Sequence, residues 1–276
     1  MPAAIMTAFS TDKPAFVLHR GTRPLLVSMP HLGTHLPACV AQRLTDEART
    51  VPDTDWHMDL LYDFARELGA SILMATHSRY VVDLNRPPDN ANLYPGQDTT
   101  GLCPVDTFDK TPLYADGPGP DETEIFARRD AVWRPYHDAL ASELARLRDA
   151  HGTVGLWDAH SIRSQLPRFF EGKLPDFNLG TANGASCDEA LAQRVLAIAE
   201  EAQGYTAVLN GRFKGGYITR QYGAPQQGIH AIQLELAQCT YMSEQFPFDY
   251  DTVLAARLQP TLRAMLEAVL AYVERR

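Results

Sequence analysis

What most limits the folds open to this chain is an alternation. Short apolar runs, "PLLVSMPH" (24–31), "SILMATHSRYVVDLN" (71–85), "TVGLWDAH" (153–160), "YTAVLN" (205–210) and "IHAIQLELAQ" (229–238), take turns with longer stretches whose apolar residues recur at helical spacing. Strands that alternate with helices build a mostly parallel sheet with both faces covered. The expected class is therefore α/β, one domain over residues 1–276 with a mostly parallel, mixed sheet flanked by helices. In such folds the ligand sits beyond the carboxyl ends of the strands. Several of these runs end in, or lead straight into, polar residues of that kind: His31, Asn85 with Arg86, and His160.

The helical stretches carry their own signals. "DTDWHMDLLYDFARELGA" reads as a helix capped by Asp53 or Thr54, with Trp56, Leu60, Leu61, Phe64, Ala65 and Leu68 as its apolar stripe and Gly69 as its stop. A long amphipathic helix is expected over 121–152, bent near Pro135, another over 187–204, and a closing one from Asp251 that Pro260 bends or divides. After "YTAVLN" the chain reads as a Gly-rich loop followed by extended backbone. Residues 87–120 hold seven of the nineteen prolines and form a long loop, a length that usually marks a functional segment or a lid.

Composition removes some functions. With 34 acidic and 25 basic residues the net charge is −9, which is wrong for a general nucleic-acid surface but says nothing against one local anion pocket. Cys39, Cys103, Cys187 and Cys239 are far apart and without a CxxC pair, so free thiols in a reducing compartment are expected, with no structural zinc knuckle. The first residues show neither a basic leader nor a long apolar run, and no segment reaches the roughly 18 apolar residues of a membrane span. A cytoplasmic protein without nucleic-acid or membrane partners is the expectation; the oligomeric state is open.

The chemistry gathers at the strand ends. His31 and His35 follow the first run. His160 ends another, and Asp158, two residues earlier, shares its face in a strand and can hydrogen-bond its ring. Two histidines at neighbouring strand ends, with an acid from an adjacent helix, suit a catalytic zinc with one open position. The acid stays open at this point: Asp53, Asp55, His57 and Asp59 crowd one helix start, where carboxylates also favour the helix dipole. Glu235 sits in an apolar strand between Leu234 and Leu236, a place that demands a partner or a task, and a general base is such a task. Arg79, Arg86, Arg163, Arg212, Lys214 and Arg220 form a basic set in an acidic chain and point to an anionic substrate. "GRFKGG" lacks the spacing of a P-loop; its glycines let backbone or Tyr217 come close to a ligand. No GxSxG elbow or GxGxxG fingerprint is present.

Taken in order, "VSMPHLGTHLP", "DTDWHMDLLYDF", "SRYVVDLNR", "WDAHSIRS", "NLGT", "GRFKGGYITRQYG" and "IQLELAQ" closely resemble the N-formylglutamate deformylase (amidohydrolase) family of bacterial histidine degradation, from about residue 14 to 275. The resemblance extends more distantly to zinc carboxypeptidase-like hydrolases such as aspartoacylase and succinylglutamate desuccinylase, and implies that fold. It implies one zinc ion on His31 and His160, Asn85 and Arg86 as a carboxylate clamp, and Glu235 as base. The HxxE of those relatives is absent, since Thr34 stands at the glutamate position. Asp59 is then the expected third ligand, ahead of His57, Asp55 and His35. The implied activity is hydrolysis of N-formyl-L-glutamate to glutamate and formate, with Arg79 stabilising the oxyanion and Arg163 or the Arg212–Arg220 loop holding the second carboxylate. The alternatives are another N-acyl acidic amino acid, a short peptide, or binding of an acidic amino acid without hydrolysis.

Overall fold

A computed structural model describes residues 9–93 and 96–275; residues 1–8 of the stretch weighed above for a leader, Tyr94 and Pro95 of the long loop, and Arg276 lie outside the described residues. In chain order the elements are β1 (Phe16–His19), β2 (Leu25–Met29), α1 (Ala38–Ala41), α2 (Asp46–Arg49), α3 (Met58–Leu61), β3 (Ser71–Ala75), α4 (Glu122–Arg128), α5 (Arg134–His151), β4 (Val154–Ile162), β5 (Phe177–Gly180), α6 (Glu189–Glu201), β6 (Ala207–Leu209), α7 (Tyr217–Tyr222), β7 (Ile229–Ala237) and α8 (Thr252–Val273). The seven strands form one sheet in the order β1-β3-β2-β4-β7-β5-β6. β3, β2, β4 and β7 run parallel, β1 is antiparallel to β3, and β5 with β6 runs antiparallel to β7. The expected mixed sheet is thus present.

Its two faces are covered by different helices. Leu25, Val27, Met29, Trp157, Ala159, Ile232 and Leu234 pack against α6 and α8. The alternate residues Leu26, Leu156 and Ala231 pack against α5 through Tyr136, Leu140, Leu144 and Leu147. On that second face the strands change character along their length. β4 runs Leu156, Asp158, His160 and β7 runs Ala231, Gln233, Glu235, so both turn from apolar to polar towards their carboxyl ends. The sheet is a hydrophobic platform with a polar rim, and the rim lies beside the first residues past β2.

Several elements differ from their sequence pattern. The helix expected over 53–70 is only α3 and a short 3-10 turn at Asp63–Ala65, because His57 has φ 62°, which no right-handed helix contains. Of the apolar run at 71–85 only Ser71–Ala75 is strand, and residues 78–86 form a buried turn; Asp83 N donates to Leu102 O and Val81 N to Ser78 O, with no ladder. The backbone after the Gly-rich loop is helical, as α7. The long helix is interrupted by a π-helical turn at Arg129–Trp133, just ahead of Pro135. α8 runs through Pro260 without a break, because the ring lies on the exposed side where water can take the carbonyl that loses its donor. All four cysteines are free, and no helix among the described residues is long and apolar enough to cross a membrane.

Candidate active site

Parallel pairing in register brings the rim residues together. His160 of β4 faces Glu235 of β7, and β2 lies on the other side of β4, so His31 arrives next to His160 two residues past the end of β2. The ring centroids of His31 and His160 are 4.8 Å apart. The third member comes from the turn before α3. Asp55 N donates to His31 O at 3.1 Å, which ties this turn to the end of β2. Asp55 Oδ2 then stands 3.1 Å from His160 Nδ1 and 3.6 Å from His31 Nδ1. One ligand atom from each of His31, Asp55 and His160 lies within 4.8 Å of the other two, and all three residues are buried.

The other ring nitrogens explain why the Nδ1 atoms converge. His31 Nε2 is 2.7 Å from Asp83 Oδ1 and donates backwards into a fully buried carboxylate, while His160 Nε2 lies between Asn85 Nδ2 at 2.9 Å and Asp158 Oδ2 at 3.2 Å, so both rings are held from behind with Nδ1 facing forward. Asn85 completes this support. Its Oδ1 accepts from Ile218 N at 2.8 Å, and its Nδ2 shares Asp158 with the His160 ring. Gly216 is required here by contact, since a Cβ on it would stand 2.4 Å from Asn85 Nδ2.

The electrostatics call for a cation. Burial alone would neutralise Asp55, but hydrogen bonds from His160 and His31 outweigh it and hold the carboxyl well below its usual range. Asp83 is likewise raised by burial but held down by Arg79 and His31. For His160 burial opposes a charge, yet the pull of Asp158 and Asp55 keeps its pKa well above that of ordinary histidine. The site therefore gathers positive charge in a buried space of carboxylates, and two imidazoles plus a carboxylate are a donor set that zinc accepts with a position to spare. The residues present fit a divalent ion.

Glu235 is in a different state. It is 8% exposed, and among the described residues its carboxylate takes one long hydrogen bond of 3.4 Å, from Gln233 Nε2, which is itself fixed because Gln233 Oε1 accepts from Gly216 N. Burial pushes its pKa up to about 8. A buried carboxyl without strong donors, held on a rigid strand beside the triad, is suited to taking and returning a proton.

His31, His160 and Glu235 open into a cleft whose walls carry Arg79, Arg86 and Arg212 together with Thr99, Phe108, Phe169 and Phe213. Arg79 is buried, donates to Asp83 Oδ2 at 2.6 Å and lies 4.7 Å over the Phe108 ring. Arg86 donates through Nε and Nη2 to Thr100 and through Nη1 to Asn85 O. Arg212 donates to Phe169 O and covers the Phe169 and Phe213 rings. The long loop supplies Asp98, Thr99 and Phe108 to the cleft, and Arg168 holds it down through Asp98 and Asp106.

Other expected site residues stand elsewhere. Asp59 is exposed on α3 and does not join the histidines; the positive φ at His57 turns the chain so that Asp55 does. His57 binds Phe248 O, and His35 pairs with Asp12. Arg163 pairs with Asp109 near Asp53, Arg220 is exposed and donates to Gly215 O, and Tyr217 packs its ring against Trp133 and His137, so none of the three lines the cleft. The Asn85 amide is engaged with Ile218 N and Asp158 and acts as a support of His160. Asp83 binds His31 and Arg79 and is 4.0 Å from Arg86.

Residues 23–242 match the family of N-formylglutamate amidohydrolases. The chain belongs to that family. It is 56% identical to an N-formylglutamate deformylase of Pseudomonas putida over 92% of this chain and 95% of that protein. An N-formylglutamate deformylase of Pseudomonas aeruginosa is 57% identical over the same 92% and 95%. Among solved structures, N-formylglutamate amidohydrolase from Ralstonia eutropha JMP134 superposes with a TM-score of 0.81 at 27% identity, covering 95% of this chain and 99% of that one. A gene product of Agrobacterium tumefaciens shares the fold with a TM-score of 0.71 at 21% identity.

Proposed function

We propose that this chain hydrolyses N-formyl-L-glutamate to L-glutamate and formate, with one divalent ion, zinc by its donor set, held by His31, Asp55 and His160. The observation that carries the reading is the juxtaposition of that buried triad with Glu235, at the end of a cleft walled by Arg79, Arg86 and Arg212. The deformylase names of its relatives support the substrate. When bound, the ion supplies Lewis acidity, which polarises the formyl carbonyl and lowers the pKa of a water.

The chain does the rest. Glu235 takes the proton of the attacking water as the new C–O bond forms at the formyl carbon. It returns that proton to the glutamate nitrogen as the C–N bond breaks, so formate and the amino acid leave with atoms and charge balanced. Arg79, braced by Asp83, is the cationic group that faces the developing oxyanion. The substrate carries two carboxylates, and each needs a partner once water is excluded. Arg86 and Arg212 serve them; Phe108, Phe169 and Phe213 exclude water around them.

The direct test is formate release from N-formyl-L-glutamate by purified protein, with chelator and with zinc added back. Release that stops on chelation and returns with zinc supports the whole reading. Release that is indifferent to chelation removes the ion, and hydrolysis that prefers acetyl- or succinyl-glutamate over the formyl compound removes the substrate. Ligand bound without turnover in the loaded protein would make it a binding protein.

A further inference from the structure

Residues 78–86 make no sheet ladder, yet all but Arg86 are buried, so their carbonyl oxygens must find donors elsewhere. Four of those carbonyls take donors from one helical rod. Arg128 Nη1 donates to Tyr80 O at 3.4 Å and to Val81 O at 3.1 Å. His137 Nε2 donates to Leu84 O at 2.8 Å, and Trp133 Nε1 donates to Arg86 O at 3.0 Å. The intervening carbonyl, Asn85 O, receives Tyr217 N. Side chains along α4 and α5 thus replace the strand that the turn lacks.

The π-helical turn at Arg129–Trp133 makes this possible. In a plain α-helix Arg128 and Trp133 would project about 140° apart. The wider π turn slows the rotation and brings them towards one side. Trp133 and His137, one turn apart, then stack with centroids 3.8 Å apart. The His137 tautomer is fixed by its neighbours: Leu84 O can only accept, so Nε2 carries the proton, and Nδ1 accepts from Tyr222 OH at 2.9 Å. Burial favours the neutral ring, with a pKa lowered to about 4.

We propose that Trp133 and His137 are positioning residues for substrate binding, acting through the carbonyls of Arg86 and Leu84 to fix where the Arg86 guanidinium stands in the cleft. The inference rests on Arg86 as a carboxylate clamp, and it gives the π turn a purpose: it aims an indole N–H at the residue that grips the substrate.

The test uses the zinc-loaded full chain and N-formyl-L-glutamate, with metal content and melting temperature measured alongside. Trp133→Phe keeps an aromatic ring and removes the donor. It is expected to raise KM about 5- to 20-fold, the scale of one lost hydrogen bond to a buried carbonyl, with kcat within about twofold and full metal content. His137→Phe is expected to do the same, and His137→Gln, which can again offer an N–H to Leu84 O, to recover part of the loss; this pair decides alone should the Trp133 variant not fold. In an Arg86→Ala background Trp133→Phe is expected to add nothing to KM. A KM left unchanged by both single variants while Arg86→Ala raises it overturns the inference and spares the clamp. Full additivity with Arg86→Ala overturns it too, since the effect then bypasses Arg86. A KM unchanged in Arg86→Ala itself removes the clamp, and this inference with it.

Discussion

Glu235→Gln should make this protein more stable and nearly inactive. Burial raises the Glu235 pKa from 4.5 to about 8 in the metal-free protein. Between those values the folded protein holds a proton that the unfolded chain has released. Stability contributed by this group is therefore lost as pH rises through that window, and the penalty is complete above about 8. At pH 7 the cost is on the order of 3 kcal/mol. Glutamine keeps the shape and carries no charge, so the chelated variant should exceed wild type by up to about 3 kcal/mol at pH 7, or roughly 6 °C in Tm for a chain of this size. At pH 5 the gap should fall below about 1 kcal/mol, because little of the titration has then occurred. Zinc should also narrow it at pH 7, since a nearby cation favours the ionised Glu235. Loss of the base should lower kcat by about 10²- to 10⁴-fold. Urea midpoints at the two pH values, with and without zinc, together with formate release, measure all of this. A variant no more stable than wild type at pH 7, or a gap that ignores pH, refutes the electrostatic reasoning; near-normal turnover refutes the role of Glu235.

The triad makes a clear contrast in metal content: Asp55→Asn should lose bound zinc by elemental analysis, while Asp59→Asn, on an exposed helix face, should keep a full equivalent. Asp83→Asn removes the carboxylate behind His31 and the partner of Arg79; zinc affinity measured by competition with a chelator should fall about 10- to 100-fold, and unchanged affinity would mean the ring needs no such support. Gly216→Ala drives a methyl group into Asn85 and should destabilise the protein by about 1–3 kcal/mol in urea, with zinc held less tightly because Asn85 supports His160.

What the sequence makes legible here is what repeats. β2, β4 and β7 are short, largely apolar runs, and α5, α6 and α8 show helical spacing with capping residues such as Asp188 and Asp251, so the sheet and both helical layers follow from pattern alone. Period-2 alternation also places Asp158 behind His160, because both residues share one strand. β1 and β5 are four residues each, too short to stand out against the loops around them. Residues 78–86 mimic a strand because their apolar residues do enter the core. Their backbone partners are side chains of a helix about fifty residues away, and no local pattern records such partners.

The third metal ligand shows where pattern ends and geometry takes over. In a helix starting at Asp53, Asp55 and Asp59 differ only by one turn, and nothing in spacing chooses between them. The choice is made by two local events. The left-handed backbone at His57 lets the helix begin only at Met58, with Asp59 on its exposed face, and the bond from Asp55 N to His31 O pulls the preceding turn against the end of β2. Both events hold Asp55 in a place where a carboxylate is tolerable only with positive charge beside it, since Asp83 and Asp158 are already buried there and Arg79 is taken up by its close pair with Asp83. The histidines can supply that charge by binding protons, and a divalent ion supplies it without them. The same crowding that makes the site costly to fold is what gives it an affinity for metal.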